Sequence, residues 1–364
     1  MSDFVVSARK YRPTTWESVV GQKSITETLS NAIQSNQLAH AYLFCGPRGV
    51  GKTTCARIFA KTINLDNGQE LDEYAFNVFE LDAASNNSVD DIRQLTDQVR
   101  IPPQKGKYKV YIIDEVHMLS SSAFNAFLKT LEEPPSHAIF ILATTEKHKI
   151  IPTILSRCQI FDFNRIQIRD IASHLSSIAK KEGIHADPES LTVIAQKADG
   201  ALRDALSMFD QLVSFTGKNL TYSSVLENLN ILDYDYYFKV TTHIIENQIH
   251  ASLLLFDEVL SKGFDGRHFV NGLSAHFRDL LVCKDKTTVQ LLDTSEEVKQ
   301  LYEEQCVKTL DPFLFKGIEL LNQTDIDFKA SRNQRLLVEL ALMQLCSITA
   351  VDEKKKSQTT KSTS

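Results

Sequence analysis

The chain is poor in the features that would place it in several common classes. Its six cysteines, Cys45, Cys55, Cys158, Cys283, Cys306 and Cys346, form no C-x-x-C pair and no cluster with histidine. That spacing argues against a zinc site and a disulfide framework, and leaves buried free thiols as the expectation. Long apolar runs are also missing. The longest are strand-sized, such as AIFILA from Ala138 to Ala143, and the opening MSDFVVSARK lacks a signal-peptide pattern, so no membrane span and a cytoplasmic location are expected. Positive charge is not in excess: the formal net charge is −6, so attraction for nucleic acid would have to come from a local basic patch. What the chain does have is 364 residues with 43% hydrophobic content, enough for two or three domains with a sizeable core.

The first part alternates strand-like and helix-like patterns. AYLF (Ala41 to Phe44), NVFEL (Asn77 to Leu81), KVYIID (Lys109 to Asp114) and AIFILATT (from Ala138) read as strands, with helices starting at Lys52, Val89 and Ser121. Short apolar strands alternating with helices predict an α/β fold with a parallel sheet covered on both faces. Asn87 is the expected cap of the helix from Val89, with Asp90 in its first turn, and EEPP at Glu132 to Pro135 stops the helix before it. From about Ile168 helical periodicity takes over in three short segments, each closed by glycine, with Asp187 and Pro188 opening the second. After Thr221 longer amphipathic helices follow, and the terminal DEKKKSQTTKSTS reads as a disordered tail or linker. The expected organisation is an α/β domain over 1–165, a three-helix domain over 166–220, an all-helical domain over 221–350 and a tail over 351–364.

GPRGVGKTT, Gly46 to Thr54, fits the phosphate loop G-x-x-x-x-G-K-[ST] and stands between a predicted strand and a helix, the context that motif requires. Glycines let backbone N–H groups approach phosphates, so Gly46, Pro47, Arg48, Gly49, Val50, Gly51, Lys52, Thr53 and Thr54 are the candidate nucleotide-binding residues. Lys52 would neutralise the β- and γ-phosphates and Thr53 would place its hydroxyl on Mg²⁺. In VYIIDEVH, Asp114 and Glu115 close an apolar strand at its carboxyl end, where open α/β sheets bind ligands; Asp114 suits the metal shell and Glu115 a general base. His117 has no partner in sequence reach and reads as structural or solvent-facing. Thr144 and Thr145 end the next strand and can offer a hydroxyl to the same place. Arg157, between apolar neighbours in ILSRCQIF, either snorkels or reaches a phosphate, and Arg203 in GALRDAL is either a solvated helix arginine or a nucleotide contact. The basic RIPPQKGKYK, with Arg100, Lys105, Lys107 and Lys109, is a candidate for sequence-neutral DNA phosphate contacts or a solvated loop.

Together ARKYRPTTWESVVGQ, HAYLFCGPRGVGKTT, ELDAAS, DEVHMLS, FNAFLKTLEEPP, FILATTE, ILSRC and GALRDALS resemble the gamma/tau family of bacterial DNA polymerase III, the AAA+ ATPases of the sliding-clamp loader. The match runs from about Ala8 to Asp210; beyond it the helices are compatible with the family's collar domain. The resemblance implies an AAA+ P-loop module, a lid and a collar in a pentameric ring, with ATP and Mg²⁺ bound between neighbouring modules. It makes Lys52 and Thr53 the Walker A ligands, Asp114 and Glu115 the Walker B pair, Thr145 the first sensor and Arg203 the second. Arg157 becomes the arginine finger of the adjacent site, and Ala8, Arg12, Val19 and Val20 line the adenine pocket. Implied partners are delta, delta-prime and further gamma/tau copies, the sliding clamp and primer-template DNA. A non-hydrolysing delta-prime-type subunit and a replisome scaffold remain the alternatives. Members of the family usually insert a four-cysteine zinc module after the Walker A helix, whereas this chain has no cysteine between Cys55 and Cys158. NLDNGQELDEY, residues 64–74, therefore reads as a short acidic bridge, and no structural zinc is expected.

Overall fold

A computed structural model of the chain describes residues 5–64, 77–104, 106–229, 231–292, 294 and 296–359. The acidic bridge expected at 64–74 falls, except for Asn64, outside these residues, as does Lys105. The chain forms two compact units, Met1–Leu220 and Thr221–Ser364.

In the first unit the elements run Ser7–Lys10 (α1), Lys23–Gln34 (α2), Ala41–Cys45 (β1), Lys52–Ile63 (α3), Val78–Asp82 (β2), Val89–Val99 (α4), Lys109–Asp114 (β3), Ser121–Glu132 (α5), Ala138–Thr144 (β4), Pro152–Leu155 (α6) and Gln159–Asp162 (β5). The five strands are parallel in the order β2-β3-β4-β1-β5, which sets β4 between the phosphate-loop strand and the acidic strand. Every residue of β1 and β4 is buried, as a sheet covered on both faces demands. Alternation divides their side chains between two cores. Leu43, Tyr111, Ile113, Phe140 and Leu142 pack with Ile92, Leu95, Phe124 and Phe127 of α4 and α5. Tyr42, Phe44, Ile112, Ile139 and Ile141 pack with Leu29, Cys55 and Phe59 of α2 and α3.

Two local expectations are corrected. The cap of α4 is Ser88, not Asn87: Ser88 Oγ accepts from the Asp91 N–H (3.2 Å), and the Asp91 carboxylate accepts the Ser88 N–H (3.1 Å). The Asn87 carbonyl is instead taken by the Ser120 N–H (3.3 Å). The fifth strand, β5, was not expected, because at this sheet edge only Phe161 of its four residues is buried and the apolar pattern that marks a strand is absent.

The same unit continues with Ile168–Glu182 (α7), His185–Ala186 (β6), Pro188–Lys197 (α8), Leu202–Thr216 (α9) and Asn219–Leu220 (β7), the two short strands pairing in parallel. Gly183 and Gly217 stand just past α7 and α9 at positive φ, whereas α8 ends at Lys197 and Asp199–Gly200 supply the turn.

The second unit is helical: Tyr222–Asn228 (α10), Tyr234–Ile245 (α11), Ile249–Ser261 (α12), Gly266–Val282 (α13), Glu296–Cys306 (α14), Asp311–Phe328 (α15) and Gln334–Thr359 (α16). Its core gathers Phe256, Phe269, Phe277, Tyr302, Leu314 and Leu345. Where a disordered tail was expected from 351, α16 continues to Thr359. Extending a formed helix needs no new nucleus, and Glu, Lys and Gln are good helix formers. Among the described residues no helix is long and apolar enough to cross a membrane.

Candidate nucleotide site

β1 delivers the chain to Gly46, whose φ of +145° is closed to other residues; a Cβ there would stand 2.3 Å from the Phe163 carbonyl oxygen. The loop then wraps to Gly51, the residue before α3, and the first helical residue is Lys52. Lys52 is 6% exposed, and its Nζ donates to the carbonyls of Gly46 and Pro47, both at 2.8 Å. Burial lowers its pKa, while the nearby Glu115 and Asp114 pull the other way. The next residue, Thr53, donates its hydroxyl to Asp114 Oδ2 at 2.8 Å, and Asp114 Oδ1 accepts the Glu115 N–H at 3.0 Å. A hydroxyl and a carboxylate so placed are hard oxygen donors, and few in number, which fits a magnesium ion that keeps water and substrate oxygens as its other ligands.

Glu115 has φ +47°, a left-handed conformation costly for a residue with a Cβ and typical of functional sites. Its Oε2 accepts from Thr145 twice, from the N–H at 3.2 Å and the hydroxyl at 3.0 Å. This contact follows from the strand order, because β4 lies next to β3 and its carboxyl end stands beside the acidic pair. His117 is not solvent-facing: its side chain is 6% exposed, with Nδ1 3.4 Å from Glu115 Oε2 and Nε2 3.1 Å from Glu146 Oε2. Of the two readings, structural or solvent-facing, only the first holds, and its partners escape the sequence because a 3-10 turn, Val116–Met118, folds it back toward the residue two places before it.

Loop and strand ends open on a cavity of about 300 Å³. Of the residues expected at the nucleotide, it is lined by Ala8, Arg12, Val19, Val20, Arg48, Gly49, Val50, Gly51, Lys52, Thr53, Thr54, Asp114, Glu115 and Arg203. Tyr11, Pro13, Asp82, Leu202 and Leu206 also line it from within the stretches that carry the resemblance, though none was singled out there, and Ile166 lines it from outside them. Asp82 has a signal in the sequence, an acidic residue at the carboxyl end of a predicted strand, and the structure sets it beside Asp114 in register. The lid reaches the loop through the Arg203 N–H, 3.4 Å from the Gly49 carbonyl. The wall carrying Ala8 and Arg12 is tied to the lid as well: the Ser7 N–H donates to Asp210 Oδ2 (2.6 Å), Lys10 pairs with Glu182 (2.5 Å), and the Tyr11 hydroxyl donates to Glu182. Burial, and then repulsion from Arg57 and Arg203, lowers the pKa of Arg12.

Other expected residues stand apart from the cavity. The Gly46 and Pro47 carbonyls accept from Lys52, and Thr145 bonds to Glu115. Arg157, just past α6, donates to the Thr153 carbonyl (2.7 Å) and pairs with Glu132 (2.7 Å). Arg100 and Lys107 are exposed, while Lys109 lies over the Phe79 ring, 5.4 Å from its centroid.

Two family models match the chain: one described as DNA polymerase III, delta subunit, over residues 21–167, and one described as DNA polymerase III clamp loader subunit, ATPase lid domain, over residues 170–218. The chain is 40% identical over 351 residues to the DNA polymerase III subunit tau of Bacillus subtilis (strain 168), covering 93% of the chain and 62% of that relative. It is 32% identical over 363 residues to the DNA polymerase III subunit gamma of Buchnera aphidicola subsp. Baizongia pistaciae, covering 95% of the chain and 98% of that relative. Among solved structures, a Thermotoga maritima RuvB A156S mutant superposes with a TM-score of 0.50 at 19% identity, over 65% of this chain and 80% of that one, a likeness of fold alone.

A parallel sheet with a phosphate loop, an acidic strand end and a helical lid closing over them defines the AAA+ P-loop class. Within that class the chain belongs to the DNA polymerase III subunit gamma/tau family. It spans under two thirds of the length of the Bacillus tau subunit and nearly all of the Buchnera gamma subunit.

Proposed function

We propose that this chain is the ATP-hydrolysing motor subunit of a sliding-clamp loader, working in the cytoplasm with delta, delta-prime and further gamma/tau copies to load the clamp onto primer-template DNA. The observation that carries the reading is the convergence of Lys52, Thr53, Asp114, Glu115 and Arg203 on one cavity. ATP would lie with its phosphates on the loop backbone and Lys52, and its base against Ala8, Arg12, Val19 and Val20. Thr53 and Asp114 would hold Mg²⁺, which supplies charge neutralisation at the phosphates. Glu115 takes the proton of the attacking water, Thr145 fixes that carboxylate as first sensor, and Arg203 reports the γ-phosphate to the lid as second sensor.

Arg157 is assigned to the neighbouring subunit's site, consistent with its position off its own cavity. An arginine supplied in trans is worth about 10³ to 10⁵ in rate. The domain roles follow as ATPase module 1–165, lid 166–220 and ring-forming collar 221–350, with Arg100 and Lys107 available to DNA phosphates and Lys105 in the same stretch.

The test is ATP turnover by the reconstituted assembly, with and without clamp and primed DNA. Turnover that rises with both supports the reading. Tight ATP binding without any turnover would mark a non-hydrolysing structural subunit instead. Mixing in Arg157→Ala chains should silence only the sites they abut, and full hydrolysis at those sites would remove the finger assignment.

A further inference from the structure

Glu115 is restrained at one oxygen only. Thr145 donates to Oε2 from both its N–H and its hydroxyl, and His117 Nδ1 lies 3.4 Å from that same oxygen, while among the described residues Oε1 accepts no hydrogen bond. The imidazole is itself fixed from the far side. Nε2 is 3.1 Å from Glu146 Oε2, and Nδ1 is 3.0 Å from Thr144 Oγ1, a fully buried hydroxyl that accepts the Glu146 N–H at 3.0 Å. Each ring nitrogen thus faces a carboxylate, Nδ1 toward Glu115 and Nε2 toward Glu146, and a carboxylate accepts only, so a ring N–H turned to either one finds an acceptor. The ring therefore cannot rotate without losing the Glu146 and Thr144 contacts together.

We propose that His117 is a positioning residue for Glu115: a buried strut, braced on Glu146 and Thr144, that keeps the carboxylate's Oε2 turned inward and leaves Oε1 as the oxygen that meets the attacking water. The role rests on the reading of Glu115 as the general base and extends it to a residue that touches neither nucleotide nor metal. Glu146 also pairs with Lys149 (2.8 Å), so the brace continues into the segment that leads to α6 and Arg157. A swing of the carboxylate by about 1 Å is enough to cost on the order of 10²-fold in rate, while substrate binding, which depends on the loop and lid, is untouched.

The experiment compares His117→Ala, His117→Gln and Glu146→Gln in the full chain, reconstituted with its partner subunits, clamp and primed DNA, reading single-turnover ATP hydrolysis, ATP affinity and melting temperature. His117→Ala should lower the hydrolysis step about 10- to 100-fold with ATP affinity within about two-fold. His117→Gln, whose amide still donates, should recover much of that loss, and Glu146→Gln, on the outer side of the brace, should reproduce part of it without removing any buried volume. In a Glu115→Gln background the His117→Ala loss should vanish, because the two residues act as one unit.

If His117→Ala fails to fold, His117→Gln and Glu146→Gln carry the comparison. Unchanged hydrolysis in the variants, equal losses in affinity and melting temperature, or a full additional loss on top of Glu115→Gln would each overturn the role. Unimpaired turnover by His117→Ala beside an active wild type overturns it alone. A wild-type assembly with no turnover overturns the motor reading, and this role with it.

Discussion

Lys52 holds its ammonium against two loop carbonyls at 2.8 Å, so a phosphate entering the loop exchanges one set of acceptors for another and does not have to recruit a mobile side chain. The contribution of Lys52 to affinity comes from the charge of the incoming group, and Lys52→Ala should weaken ATP binding by about ten-fold or more, measured by a fluorescent analogue. Glu115→Gln keeps size and polarity and loses only the base. It should bind ATP normally and hydrolyse it about 10²- to 10⁴-fold more slowly. Equal losses of binding in both variants would contradict this division of labour. Gly46→Ala belongs with neither: its Cβ would meet a backbone oxygen at 2.3 Å in a conformation closed to alanine. The expected result is a loss of about 2–4 kcal/mol of stability in denaturant titration, together with the nucleotide site.

At the scale of elements, what the sequence discloses is what is written contiguously. β1, β3 and β4 are legible because a strand buried through its interior requires an unbroken apolar run, and the loop and acidic pair because each chemistry needs several neighbouring residues of fixed type. β5 escapes because an edge strand needs only Phe161 inside. Ser88 displaces Asn87 as the α4 cap because Asp91 completes a reciprocal pair, a choice between adjacent cap-competent residues that propensity does not settle. Tyr11, Asp82 and Leu206 join one cavity from three distant segments, and only tertiary packing brings them together. The ties of α1 to α7 and α9 give a test at this scale. Asp210→Ala and Glu182→Ala should release the wall that carries Ala8 and Arg12, raising the Kd for ATP about 3- to 10-fold with little change in the hydrolysis step. A change confined to the hydrolysis step would argue that the wall is not part of the binding surface.

For the molecule as a whole, stability against acid is expected to depend on a residue of the second unit. His276 is 2% exposed, its ring bonded to Tyr302 (3.0 Å) and Gln305 (2.9 Å), and burial pushes its pKa down to about 4. The unfolded chain takes up this proton near pH 6.5 while the folded chain resists until about 4. The stability due to neutral His276 is therefore intact above about pH 6.5 and is lost progressively as the pH falls toward 4, by about 3 kcal/mol in total. His276→Gln, which keeps a polar partner for the network and cannot titrate, should show a shallower decline in melting temperature over that range; parallel curves for the two proteins would exclude His276 as the source.

The hydrogen bond from Ser7 to Asp210 and the pairs from Lys10 and Tyr11 to Glu182 couple two walls of the cavity mechanically. Because α1 is fastened to the lid helices, a lid that swings outward would withdraw the wall carrying Ala8 and Arg12 with it, and on the proposed ATP site a spent nucleotide would be uncovered from both sides in a single movement. The exit of product is then gated by one motion, not two, so nucleotide exchange should follow single-step kinetics, and cutting the Ser7–Asp210 tie should turn it into two.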